Sequence, residues 1–87
     1  MASQINQHSV ACKTLARTAL MRSGINRKTL ADAMGKDEAT LSRYLSDQHE
    51  HEMGHTTLMI FEAMTGDRTV MDYIERELGR IAQEIAS

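Results

Sequence analysis

The stretch RKTLADAMGKDEATLSRYLS, residues 27–46, decides the fold. Leu30, Ala31 and Met34 line one face of a short segment that halts at Gly35, and Leu41 and Leu45 form an i, i+4 apolar pair with Tyr44 beside them. Asn26 is placed to cap the first segment and Asp37 to cap the second. Gly35 stands where the chain must turn with positive φ, and Ala31 is small enough to let two helices cross closely. The spacing predicts two short helices, turning at Gly35, whose apolar residues close on each other. The second ends near Asp47.

Working outward, apolar residues from Ile5 to about Arg22 (Val10, Leu15, Ala16, Ala19, Leu20) recur at helical spacing, and Gly24 follows as a stop. Beyond the central pair, SDQHEHEMGH is polar and aperiodic, hence a loop. Thr56 or Thr57 then opens the apolar segment LMIFEAM, which Gly66 closes. Thr69 and Asp72 make a capping-box-like start to a last helix, where Val70, Ile74, Leu78, Ile81 and Ile85 repeat every three or four residues. No strand signal, repeat or low-complexity segment appears. The expected fold is all-α, a small domain of about five helices.

Composition agrees. With 87 residues there is room for one core, and with no proline or tryptophan and only Phe61, Tyr44 and Tyr73 as aromatics, that core is built from Leu, Ile, Met and Ala. A domain this small buries only about 60% of its unfolded surface, and the single Cys12 excludes an internal disulfide, so association between copies is a natural source of added stability. Cys12 lies in an apolar helical pattern and reads as a small packed residue rather than a nucleophile. No apolar run approaches a bilayer span, and MASQINQHSV lacks the pattern of a signal peptide, so a cytoplasmic location without membrane contact is expected. The net charge of −2 hides an asymmetry. Residues 1–47 sum to +3 and residues 48–87 to −5, so the basic half could face a polyanion while the acidic half faces away.

Two short helices turning at a glycine are the plan of the helix-turn-helix, whose second helix enters the major groove of DNA. With Ala31, Gly35 and the later buried aliphatics in register, residues 27–46 resemble the Cro- and repressor-type motif of bacterial and phage regulators. The wider run GINRKTLADAMGKDEATLSRYLSD, a polar histidine-containing loop and an apolar helix ending in TGD are similar to the phage regulatory CII group. Lys36 departs from the general motif, which often has an aliphatic residue after the turn glycine. It weakens the packing of the turn and adds a positive charge.

The resemblance implies residues 1–68 as a DNA-binding unit with a recognition helix at about 37–47, and residues 69–87 as a C-terminal oligomerisation helix in the same compact unit. Opposite Leu41 and Leu45 the wheel carries Ala39, Ser42, Arg43 and Ser46, with Lys36 leading in and Thr40 at the flank. Arg43 suits a bidentate contact with guanine, or a phosphate; Thr40, Ser42 and Ser46 suit bases or phosphates; Ala39 suits a thymine methyl. Asn26, Arg27, Lys28 and Thr29 open the preceding helix, where free amides and side chains would meet a phosphate. Asp37 reads as a cap near the packed side of the first turn. Glu38 is open between a solvated acid and an acceptor from a cytosine amino group. His49 could touch a phosphate.

His49, His51 and His55 with Glu50 and Glu52 share one polar loop without the fixed four-ligand set of a structural zinc site, so no metal and no cofactor is expected. The stripe Ile74, Leu78, Ile81 and Ile85 is expected to form an interface between copies, as a homodimer or, as the resemblance allows, a homotetramer. Gly79 weakens that helix while permitting close approach. Two functions remain: a sequence-specific regulator of double-stranded DNA, and a helical protein-interaction module of antitoxin or anti-repressor type that binds another regulator. No nucleophile, base and orienting group stand together, so no enzyme is expected. Activator and repressor are not separated, although an activator would also meet RNA polymerase.

Overall fold

A computed structural model describes residues 7–86. It is all-helical, with α1 Gln7–Ser23, α2 Arg27–Met34, α3 Glu38–Leu45, α4 His55–Thr65 and α5 Thr69–Ala86. Ile5, assigned to the first helix by its pattern, lies outside the described residues.

The central pair forms as its caps dictate. The Asn26 side chain accepts from the amides of Lys28 at 2.8 Å and Thr29 at 3.3 Å, and Asp37 Oδ1 accepts from the Thr40 amide at 2.8 Å. Gly35 adopts φ 71°, ψ 27°. Its amide donates to Asp32 O at 3.1 Å while the Lys36 amide donates to Ala31 O at 2.9 Å, the Schellman arrangement that satisfies the last carbonyls of α2. The apolar contact that often accompanies this turn is missing because its position holds Lys36, which is exposed.

Leu30, Ala31 and Met34 of α2 and Leu41, Tyr44 and Leu45 of α3 are all buried, joined by Ala16, Ala19 and Leu20 of α1, Leu58 and Phe61 of α4 and Val70 of α5. Phe61, the largest of the fully buried side chains, comes from α4. Helix α1 touches α3, α4 and α5, and α2 touches α3 and α4, so α3 is held from behind by α1 and from the side by α2. Helix α5 rests on α1, where His8 Nδ1 and the Tyr73 hydroxyl share a 2.9 Å hydrogen bond. Cys12 packs half-buried beside the core, and burial, with a smaller contribution from Glu52, pushes its thiol up.

Three details differ from the sequence expectation. Helix α3 ends at Leu45, two residues before Asp47. Helix α4 begins at His55, not at Thr56 or Thr57, with Gly54 as its cap and no side-chain cap bond. The start of α5 is capped from Asp67, whose carboxylate accepts from the Thr69 amide at 2.9 Å and from the Thr69 hydroxyl. Thr69 therefore sits inside the helix, and the Thr69 to Asp72 box does not form the cap. Glu62 Oε2 accepts from the Met71 amide at 2.8 Å and ties α4 to the same turn.

These carboxylates set the acid limb of stability. Hydrogen bonds from the Thr40 amide and hydroxyl hold Asp37 low, the Arg17 hydrogen bond holds Asp47 low, and hydrogen bonds from Thr69 hold Asp67 low. Groups depressed in the folded state stabilise it above the ordinary carboxylate range and lose that contribution as pH falls through their lowered values. Glu62, raised by burial, acts in the opposite sense and is relieved on protonation. We expect a thermal midpoint that is nearly flat from neutrality to about pH 4.5 and falls steeply below about 3.9. Circular dichroism melts of the parent and Asp47→Asn check this, the variant showing a shallower acid limb. A midpoint that climbs below that pH would contradict it.

Candidate nucleic-acid interface

Burial of Leu41, Tyr44 and Leu45 turns the other side of α3 to solvent: Glu38, Ala39, Ser42 and Arg43 are exposed and Thr40 is half-buried. The helix rule does the work here, because residues one turn apart share a face. Lys36 precedes this surface and is exposed, as are Asn26, Arg27, Lys28 and Thr29 at the start of α2. Asp37 is exposed too, not turned toward the core, and the Arg43 charge acts on its carboxyl. The Thr40 hydroxyl is engaged with that same carboxyl.

Two expected contacts carry other duties. Asn26 occupies the amides of Lys28 and Thr29, so an anion at the start of α2 would meet the Arg27 amide and the side chains rather than a row of free N–H groups. Ser46 is half-buried at the end of α3; its amide donates to Arg43 O at 3.2 Å and its hydroxyl accepts from the Gln48 amide at 3.1 Å. His49 is exposed, with its ring edge-on to that of His51 at 6.0 Å between centroids. Among the described residues no three His, Cys, Asp or Glu side chains converge as metal ligands.

The cations divide sharply. Among the described residues Arg27, Lys36 and Arg43 make no ion pair, and Lys28 has only the exposed Asp32 one turn on, at 3.6 Å. Lys13 and Arg17, which the charge count of residues 1–47 credits to the basic half, are engaged by the protein itself instead: Lys13 is buried and Arg17 half-buried. Lys13 is 3% exposed and donates to the carbonyls of Arg43 at 3.0 Å, Tyr44 at 2.9 Å and His51 at 2.5 Å. Burial lowers its pKa, while the nearby Glu52 and Asp47 favour its charge. Arg17 donates to Leu45 O at 2.6 Å and pairs with Asp47 at 2.9 Å. Both residues were missed in the sequence. The signal was there: Lys13 shares a helical face with Ala16 and Leu20, an apolar stripe where a cation needs buried acceptors.

On α5 the stripe is only partly covered. Ile74 packs half-buried against the core and Ile81 is half-buried, but Leu78 is 64% and Ile85 79% exposed. A groove of about 320 Å³ between α1 and α5, lined by Cys12, Tyr73, Ile74, Leu78 and Ile81 among others, continues the stripe. No helix among the described residues is long and apolar enough to cross a membrane.

Comparisons with protein-family models, with curated proteins and with solved structures return no match.

Proposed function

We propose that this chain is a sequence-specific, double-stranded DNA-binding transcription regulator of phage or mobile-element type, similar to the CII group, acting in the host cytoplasm. The observation that carries the reading is the division of α3: one side is wholly buried, and the other exposes Arg43, Ser42, Ala39 and Glu38 with Lys36 leading in. On this reading α3 lies in the major groove, Arg43 reads a guanine edge, and Lys36, Arg27 and Lys28 hold phosphates. Such a surface carries few charges, so one copy binds weakly and affinity comes from assembly.

The assembly we propose is a second copy of this chain joined through α5, because Leu78 and Ile85 continue a stripe that the domain itself leaves open. Two heads spaced about one turn of DNA, roughly 34 Å, would then meet a repeated half-site. Selection from random duplexes tests the whole reading. Expected are a recovered half-site with a fixed spacing and, with two heads bound, a slope of log affinity against log salt of about −5 to −7. A protein-interaction module would instead recover no duplex and show no salt dependence, and that result would end the DNA reading.

Leu78→Glu tests the interface. Because Leu78 is already exposed, the folded domain should tolerate it, while an assembled α5 should not. Sedimentation equilibrium is expected to show the parent as a dimer or tetramer and the variant as a monomer with an unchanged helical spectrum. A parent that is monomeric at tens of micromolar would refute the α5 interface.

A further inference from the structure

Lys13 and Arg17 lie one turn apart on α1, and their acceptors are three consecutive carbonyls, those of Arg43, Tyr44 and Leu45. These belong to the last turn of α3, where carbonyls lack partners within the helix and the helix dipole is negative. Arg17 is itself steadied by a 3.2 Å bond from Nη2 to Thr14 Oγ1. The same two cations reach into the segment that follows, Lys13 to His51 O and Arg17 to the Asp47 carboxylate.

Packing alone would leave α3 a degree of freedom. Contacts of Leu41, Tyr44 and Leu45 set how deeply the helix sits, but apolar burial is non-directional and tolerates a small roll about the helix axis. Hydrogen bonds are directional and weaken steeply when bent. A roll of α3 would shift all three carbonyls off the Lys13 and Arg17 donors together, and it would also swing the exposed face on which Arg43 and Ser42 stand.

We propose that Lys13 and Arg17 form a positioning clamp that fixes the rotation of α3 about its axis, and thereby sets how sharply its exposed face discriminates between duplexes. The inference rests on the DNA-binding reading for its second half; its first half concerns the free protein alone. Neither residue touches DNA in this scheme. They act through the backbone that carries the residues that do.

Arg17→Met is the main test, since Arg17 is only half-buried and its loss leaves the Lys13 bonds in place. Lys13→Met is the stronger variant, measured where melts show it folded. Two quantities are read well below the melting temperature: amide hydrogen exchange at residues 45–48 in the free protein, and the ratio of affinities for the selected duplex and a random one. The expected result for Arg17→Met is exchange about tenfold faster at those amides and a discrimination ratio lowered about tenfold, with affinity for random duplex nearly unchanged. Unchanged exchange would remove the clamp. Faster exchange with full discrimination retained would reduce the pair to scaffolding and overturn the proposal. If the parent itself selects no duplex, the DNA reading fails instead, and that failure is visible before any variant is made.

Discussion

Replacing Lys13 with methionine is expected to destabilise the domain by about 2 to 4 kcal/mol. Methionine matches the unbranched stem and helix propensity of lysine and lacks only its terminal ammonium, so α1 itself should be little affected. What is lost is the ammonium group that three carbonyls now share at 2.5 to 3.0 Å in an environment where Lys13 is 3% exposed. Removing a buried cation together with its partners can be neutral, because the desolvation cost of the charge is removed as well. Here the partners are backbone and stay. Tyr44 O and His51 O are left facing a methyl group that cannot donate, which is the costly half of the asymmetry, while Arg43 O keeps the Ser46 amide. A domain of 87 residues has a total stability of about 4 to 13 kcal/mol, so the variant loses a large share of it. Urea unfolding measures the effect: with a slope of about 1 kcal/mol/M, the midpoint should fall by at least about 2 M. A shift below about 0.5 M would mean that the ammonium contributes little to holding α3.

Arg43→Ala should have the reverse profile, an intact fold with impaired binding. Arg43 is exposed and, among the described residues, makes no ion pair, so its removal should leave the melting curve nearly unchanged. Its carbonyl, which Lys13 and the Ser46 amide use, remains in place. If Arg43 grips a guanine edge bidentately, affinity for the selected duplex falls about 10- to 100-fold, and selectivity at one base pair relaxes. If it holds a phosphate instead, affinity falls uniformly across sequences and the salt slope shrinks by about 1. Competition binding against duplexes altered one base pair at a time separates the two. Binding indifferent to the substitution on every duplex would remove α3 from the interface.

How much of this could be read in the sequence follows from what carries the information. Asn26, Asp37 and Gly35 announce their roles because a cap or a positive-φ turn acts within three or four residues of itself. The i, i+4 spacing of Leu41 and Leu45 likewise fixes which side of α3 is buried, and with it the exposed set Glu38, Ala39, Ser42 and Arg43. Lys13 and Arg17 escaped because their acceptors are backbone carbonyls some thirty residues away. A carbonyl is the same in every residue, so no letter at positions 43–45 announces that it needs a donor. Asp67 was overlooked for another reason: Thr69 offered a plausible cap by type, and only the path of the chain shows the aspartate reaching forward to that helix start.

Everything that anchors α3 comes from its apolar stripe, from the Asp37 cap at its start and from the two α1 cations at its end. Of the side chains at positions 38, 39, 42 and 43, only Arg43 bears on these supports, through its charge on the Asp37 carboxyl. That segregation makes the helix interchangeable in engineering terms: those four letters can be rewritten as a cassette while the frame beneath keeps its stability.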